Sequence, residues 1–178
     1  MENLHKFRSL DTERLKLRAL EITDNKQVAA IRSDAEVNRY LARKSCLSIS
    51  EAESFIKKIE AGVKNDGSYY WAICLKDENK LVGTICLWNI VRESEQVELG
   101  YELFPALQGK GIMSEALEKV LGFAFNDLQF KKIVAVTHRH NSKSLSLLEK
   151  FGFVNNPDYR DKAGLSEDEL SFILNISH

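Results

Sequence analysis

The stretch QVELGYELFPALQGKGIMSEALEKVLGFAFNDL, residues 96–128, decides how this chain is read. QVELGYELF alternates like a strand. Val97, Leu99, Tyr101 and Leu103 share one face, and Glu98, Gly100 and Glu102 share the other. PALQGKG follows as a turn. IMSEALEKV then opens a helix in which Leu117, Val120, Leu121, Ala124, Phe125 and Leu128 fall at helical spacing. A helix start carries unpaired backbone N–H groups and the positive end of the helix dipole. Gly109 and Gly111 remove the side chains that would hold a ligand away from those groups. The stretch therefore predicts an anion site, with phosphate as the expected ligand.

The rest of the chain is organised around this unit. Upstream, residues 1–11 are polar and expected to be loosely held, and Leu15, Leu17 and Ala19 alternate as a first strand. Thr23 and Asp24 are helix caps for a face of Val28, Ile31 and Ala35, with a second helical piece over residues 34–41. Ser50 and Glu53 read as a capping box for a helix with Ala52, Phe55, Ile56, Ile59 and Val63 on one face, ending near Gly62 and Gly67. Residues 69–75 and 81–88 form a predicted hairpin around Asp77, Glu78 and Asn79. Downstream, residues 133–137 are a buried strand. Asn141 and Ser142 cap a helix bearing Leu145, Leu148 and Phe151, which Gly152 stops. Residues 153–154 and 170–176 are two last strands, separated by a charged loop containing Asp161, Lys162 and Gly164. Consecutive strands followed by alternation predict a mixed α/β sheet with helices on both faces.

The 178 residues suit one domain, spanning 1–178 with its core over about residues 12–176. A hydrophobic fraction of 44% and a charged fraction of 29% predict a chain that folds and stays in solution. A net charge of -1 argues against a general nucleic-acid binder. Cys46, Cys74 and Cys86 are scattered and odd in number, with Cys74 and Cys86 in apolar runs, so free buried thiols are expected and no zinc or redox motif. No apolar segment has signal-peptide or membrane-spanning length, so the expected compartment is the reducing cytoplasm and no membrane partner is expected.

Three chemistries compete for the glycine turn, beside the plain reading of a tight strand-to-helix connection. An NTPase phosphate loop requires Ser or Thr after Gly-Lys, and Gly111 follows Lys110. A dinucleotide fingerprint requires a third glycine where Ser114 stands, and an acidic end to the next strand, which reads Thr137-His138. The third chemistry is a coenzyme A pyrophosphate resting on the N–H groups of Gln108, Gly109, Lys110, Gly111, Ile112, Met113 and Ser114.

Gln108-x-x-Gly111 between ELFP and SEAL resembles the acetyl-CoA signature of the GNAT superfamily of N-acetyltransferases. RLKLRAL with the later Asp24, the run VELGYELFP, and Asn141-x-x-Ser144 followed by EKFGF resemble its branch of ribosomal-protein N-terminal (serine/alanine) acetyltransferases. The resemblance covers residues 12–176. Met113 departs from it, since many members carry glycine or alanine there.

The resemblance implies a mostly antiparallel sheet of about seven strands with a splayed central pair. The pantetheine arm would bond backbone groups near Leu103 and Phe104. It implies direct attack of a primary amine on the acetyl thioester, with acetyl-CoA as co-substrate and no metal. Glu98 is the first candidate base, directly or through water, and Glu102 the second. Ser144 is implied as the donor to the departing thiolate, because no tyrosine lies over residues 141–153, and Asn141 as a coenzyme contact. The same residues also read as an ordinary helix start. The acceptor is an amine, either a protein N-terminus or a small molecule. The alternatives are a non-catalytic acyl-CoA-binding or regulatory module on the same fold, and a nucleotide-dependent oxidoreductase. The expected assembly is a monomer or homodimer. Acceptor entry is expected over the first helices, near Arg39, Arg43 and Lys44, and the loop with Glu93 and Glu95. His138 and His140 read as a loop beside the coenzyme, Trp71 and Trp88 as core or cleft wall, and Lys131, Lys132 and Lys150 as solvated. Lys143 reads the same way, with a coenzyme phosphate as a second reading.

Overall fold

A computed structural model describes residues 7–45, 48–159 and 164–176. Cys46, Asp161 and Lys162 lie outside them, as do residues 1–6. Within them the chain forms eight strands. These are β1 (Leu10–Asp11), β2 (Leu15–Ala19), β3 (Tyr69–Leu75), β4 (Leu81–Val91), β5 (Gln96–Leu103), β6 (Lys132–His138), β7 (Val154–Asn155) and β8 (Glu169–Asn175). They make one sheet in the order β1-β2-β3-β4-β5-β6-β8-β7, antiparallel throughout except where β5 meets β6 in parallel. The helices are α1 (Asn25–Ser33), α2 (Ala35–Asn38), α3 (Ile49–Lys64), α4 (Ile112–Gly122) and α5 (Ser142–Lys150).

Both faces of the sheet are covered. Tyr69, Trp71 and Ile73 of β3 join a core with Val97, Leu99, Ile133, the buried side of α4 and Leu148 of α5. Tyr70, Ala72 and Cys74, on the opposite face, join Val28 of α1 and Ala52 and Ile56 of α3. This is why β3 is apolar throughout instead of alternating: each face meets a helix layer.

Several local expectations change. Residues 7–11 are not loose. Phe7 packs its ring 5.5 Å from that of Trp71, the Trp71 indole N–H donates to Arg8 O at 2.9 Å, and Leu10 pairs with Leu17. This edge pairing adds the eighth strand. The cap of α3 is Ser48, whose hydroxyl accepts from Glu51 N at 3.1 Å, while Glu53 accepts from the Asn25 amide at 2.8 Å. Asp24 precedes α1 but does not cap it. Its carboxylate takes both Arg18 Nη atoms at 2.8 Å and the Glu21 N–H at 2.8 Å, tying β2 to the entry of α1. The long helix after the glycine turn widens into a π turn over Phe123–Asp127, with Leu128 N bonding Phe123 O at 3.0 Å. The second helical piece is shorter than expected, at Ala35–Asn38. The last two strands shift slightly, to Val154–Asn155 and Glu169–Asn175.

Candidate active site

β5 and β6 pair only from Gln96↔Lys132 to Leu99↔Ala135. Beyond that point β5 stays paired with β4 as far as Gly83↔Leu103, and β6 with β8 as far as His138↔Glu169. Each strand therefore follows its outer neighbour and the two part, which opens a V in the sheet after Leu99. Phe104 N donates to Val82 O at 3.1 Å, toward β4. Backbone groups alternate sides along an antiparallel strand, so those of Tyr101 and Leu103 point into the V. The Phe104 carbonyl is also engaged, accepting from Leu107 N at 3.0 Å, whereas Leu103 O accepts from the Gln108 amide at 3.1 Å.

The glycine turn lies past the open end of β5. Gly109 and Gly111 have φ of +73° and +74°, a backbone region that side chains disfavour. A Cβ at Gly109 would meet nothing within 4 Å, and one at Gly111 would meet only Arg14 Nη2 at 3.4 Å. The glycines thus serve the backbone and leave the space above them open. Gly111 is the N-cap of α4, and Glu115 N to Gly111 O, at 3.0 Å, closes its first turn. The N–H groups of Ile112, Met113 and Ser114 come before that bond, at the positive end of the helix. Ile112 and Met113 turn their side chains into the core, so Met113 does not crowd the turn.

Arg14, which sequence reasoning did not single out, braces the turn from β2's side. It donates to Lys110 O at 3.0 Å and to Glu115 at 2.6 Å. Burial pulls the Glu115 carboxyl up, but hydrogen bonds from Thr12 and Arg14 outweigh it and leave the carboxyl below its ordinary range. Lys143 Nζ reaches Gln108 Oε1 at 2.6 Å and Glu36 at 3.3 Å, and Lys150 reaches Ser114 Oγ at 3.2 Å.

On the α1–α3 face of β5, Glu98 is buried, and its Oε2 accepts from Asn89 Nδ2 at 3.2 Å and the Tyr159 hydroxyl at 3.1 Å. Neither partner is near it in sequence. Above Gly100 the space is narrower than alternation suggests: a Cβ there would lie 3.1 Å from Cys86 Sγ and 3.7 Å from Trp88 Nε1. Glu102 is held by Arg43 Nη1 at 2.5 Å and by Thr84 Oγ1 at 3.4 Å. Arg43 Nε donates to Asn38 at 2.8 Å, and its Nη2 is the one buried side-chain nitrogen without a partner among the described residues. Arg39 lies over the Tyr40 ring, Lys44 pairs with Glu51 at 3.7 Å, and Glu95 with Lys131 at 2.5 Å.

On the α4–α5 face, Asn141 caps α5, its Oδ1 accepting from Ser144 N at 3.2 Å. Ser144 is buried, and its Oγ lies 2.7 Å from the Tyr101 hydroxyl. Alternation had assigned Tyr101 to the core face. Its ring does pack there, but its hydroxyl reaches α5 beside the V. Burial pushes the Tyr101 phenol up to about 12.

Trp71 is core, and Trp88 is 45% exposed. His138 ends β6 with its ring 5.1 Å from Tyr40 and 5.4 Å from His140. Among the described residues no group of three His, Cys, Asp or Glu side chains could hold a metal ion, and no helix is long and apolar enough to cross a membrane. Cys74 and Cys86 are free thiols, and burial pushes Cys86 up to about 12.

The GNAT acetyltransferase domain family matches residues 14–154. A Bacillus subtilis strain 168 relative named uncharacterized N-acetyltransferase YoaA is 33% identical over 147 residues, 83% of this chain and 83% of the relative. The [ribosomal protein uS5]-alanine N-acetyltransferase of Escherichia coli K12 is 31% identical over 108 residues, 60% of this chain and 52% of that one. Among solved structures, the ribosomal-protein-S5-alanine acetyltransferase of Vibrio fischeri superposes with a TM-score of 0.78 at 23% identity, covering 94% of this chain and 96% of that one. The microcin C7 self-immunity acetyltransferase MccE, solved with acetyl-CoA and AMP, gives 0.78 at 22%, covering 93% and 94%. An eight-stranded, mostly antiparallel sheet parted between β5 and β6, with a glycine turn feeding α4, accompanies these matches: the chain belongs to the GNAT family and is an acetyltransferase.

Proposed function

We propose that this acetyltransferase moves the acetyl group of acetyl-CoA to a primary amine by direct attack in a ternary complex, and that a protein N-terminal amine is the acceptor. The observation that carries the reading is the V after Leu99, with the open glycine turn at one end and a buried carboxylate, Glu98, beside its apex. In this reading the pyrophosphate rests on the N–H groups of the turn and of the first residues of α4, from Gln108 to Ser114. The pantetheine arm lies in the V against the backbone of Tyr101 and Leu103 as an added strand. Lys143, within 2.6 Å of Gln108, stands beside that anion site. The MccE complex with acetyl-CoA supports the choice of coenzyme by its shared fold.

The amine nitrogen attacks the thioester carbon while Glu98 takes the amine's proton, directly or through a water. The carbon–sulfur bond then breaks, with the Ser144 hydroxyl donating a hydrogen bond to the sulfur as it departs as a thiolate, while the amine's proton stays with Glu98. A backbone N–H of β5 supports the carbonyl oxygen in between. Glu98 is preferred over Glu102 because it stands beside the apex of the V, whereas Glu102 is engaged in an ion pair with Arg43 at 2.5 Å. The N-terminal acceptor rests on the Escherichia coli relative's name and on no residue of this chain.

The test is free-thiol release from acetyl-CoA across a panel of peptides with free N-termini, the same peptides with blocked N-termini, and small amines. Turnover with the free peptides and none with the blocked ones is expected. Turnover confined to small amines overturns the acceptor assignment and leaves the coenzyme chemistry standing.

A further inference from the structure

α5 carries no tyrosine, yet a phenol reaches it. Tyr101 comes from β5, on the other side of the V, and its hydroxyl lies 2.7 Å from Ser144 Oγ. Among the described residues Ser144 is the only hydrogen-bond partner of that hydroxyl. The geometry allows either hydroxyl to donate, and the phenol, the stronger donor of the two, favours the direction from Tyr101 O–H to Ser144 Oγ. That leaves the Ser144 proton to point elsewhere. A serine in a helix often donates back to its own helix, as Ser54 does to Ser50 O at 2.9 Å. Among the described residues Ser144 makes no such bond. Its N–H is already held by Asn141, so the residue is fixed at its backbone and at its oxygen. The raised phenol keeps Tyr101 protonated through the neutral range, which keeps it a donor.

We infer that Tyr101 is a positioning residue that acts through Ser144: by donating to Ser144 Oγ it turns the Ser144 hydroxyl proton toward the coenzyme sulfur and strengthens it as a donor. The coenzyme meets the Tyr101 backbone in this arrangement, but not its hydroxyl. Chained donors polarise one another, so a Ser144 hydroxyl that accepts from a phenol is a better donor to a thiolate than an isolated one. The inference rests on the coenzyme placement proposed above and does not depend on the acceptor.

The test reads the thiol itself. Free coenzyme A is bound to the protein, and the ultraviolet absorbance of its thiolate is followed against pH as a difference from the desulfo-coenzyme A complex. The wild-type complex is expected to hold the thiol below its free value. Tyr101→Phe is expected to raise the bound thiol by about one pH unit, the size of one charge-assisted hydrogen bond weakened but not lost. Ser144→Ala is expected to raise it at least as far, and the double variant no further than Ser144→Ala alone. A bound thiol that Tyr101→Phe leaves at the wild-type value overturns the inference, as does a double variant in which the two shifts add. Where Tyr101→Phe does not fold, Ser144→Ala decides: an unchanged thiol overturns the inference and a raised one supports it. Wild-type protein that binds no coenzyme A overturns the coenzyme placement as well, which separates that failure from the failure of the Tyr101 role alone.

Discussion

Glu98 and Glu102 stand four residues apart on one face of β5 and meet different neighbours. Glu102 is ion-paired with Arg43 at 2.5 Å, and Glu98 Oε2 accepts from Asn89 and from the Tyr159 hydroxyl. A base must offer a lone pair within reach of the amine, and Glu98 stands beside the point where the V opens. Glu98→Gln is therefore expected to lower turnover about 100-fold at neutral pH, the usual size of a general-base contribution. Part of the loss should return at alkaline pH as the acceptor amine deprotonates unaided; an unchanged neutral rate removes Glu98 from the mechanism. The carboxylate was legible because alternation along QVELGYELF places it off the core face. Tyr101 was not, because the same alternation sends it inward, and the hydroxyl's meeting with Ser144, 43 residues away in sequence, depends on how the two strands part. Asn89, Arg14 and Tyr159 escaped for the same reason. Their partners lie on other elements; Arg14 and Tyr159 sit in connections with no period to read, and Asn89 sits where β4 breaks register, with φ of +48°.

At the scale of elements, the start of α4 joins three separate pieces of chain. Thr12 and Arg14 hold Glu115, and Arg14 holds Lys110 O, so β2's lead-in braces the turn. Gly109→Ala is the sharper probe of the anion site, since its Cβ meets no protein atom and only the positive φ is strained, at about 1–2 kcal/mol. It should fold and weaken coenzyme binding in calorimetry; equal affinity would contradict a phosphate above the turn. Glu115 titrates lower in the folded chain than in the unfolded one, so its stabilisation is complete above the ordinary carboxylate range and fades as pH falls through the folded value. Glu115→Gln should cost about 1 kcal/mol in urea unfolding at neutral pH, discounted for its partly exposed Arg14 partner, and the difference should close in acid. Asp24→Ala strands Arg18 in a site where both side chains are nearly buried, and should cost about 3–5 kcal/mol. The α3 cap shows why element ends read poorly. Ser48-x-x-Glu51 and Ser50-x-x-Glu53 both fit a capping box, and Glu53 is drawn off by Asn25 from another helix.

For the whole molecule, the order of elements was legible because each strand and helix has its own period, but the eighth strand was not. Leu10–Asp11 is two residues long, too short to alternate, and it exists because Phe7 and Leu10 are drawn onto the core beneath Trp71. The V is likewise a property of the sheet and not of either strand. β5 and β6 are both regular; what parts them is that each is committed for its full length to an outer neighbour, β4 or β8. A sheet so built holds backbone groups of Tyr101 and Leu103 facing a gap in place of a partner strand, while Val97 and Leu99 lie where β5 is paired on both sides. Hydrogen exchange tells these apart. In the free protein the amides of Val97 and Leu99 should exchange slowly and that of Tyr101 much faster, since a ladder bond protects an amide and a gap does not. Coenzyme A lying in the V as an added strand should slow Tyr101 by about tenfold or more at saturation while leaving Val97 and Leu99 unaltered. Desulfo-coenzyme A should protect Tyr101 equally, because the arm's amides and not its sulfur meet the strand. Protection confined to the turn over residues 108–114, with Tyr101 unchanged, would mean that the coenzyme is held by its phosphates alone and that the V serves some other purpose.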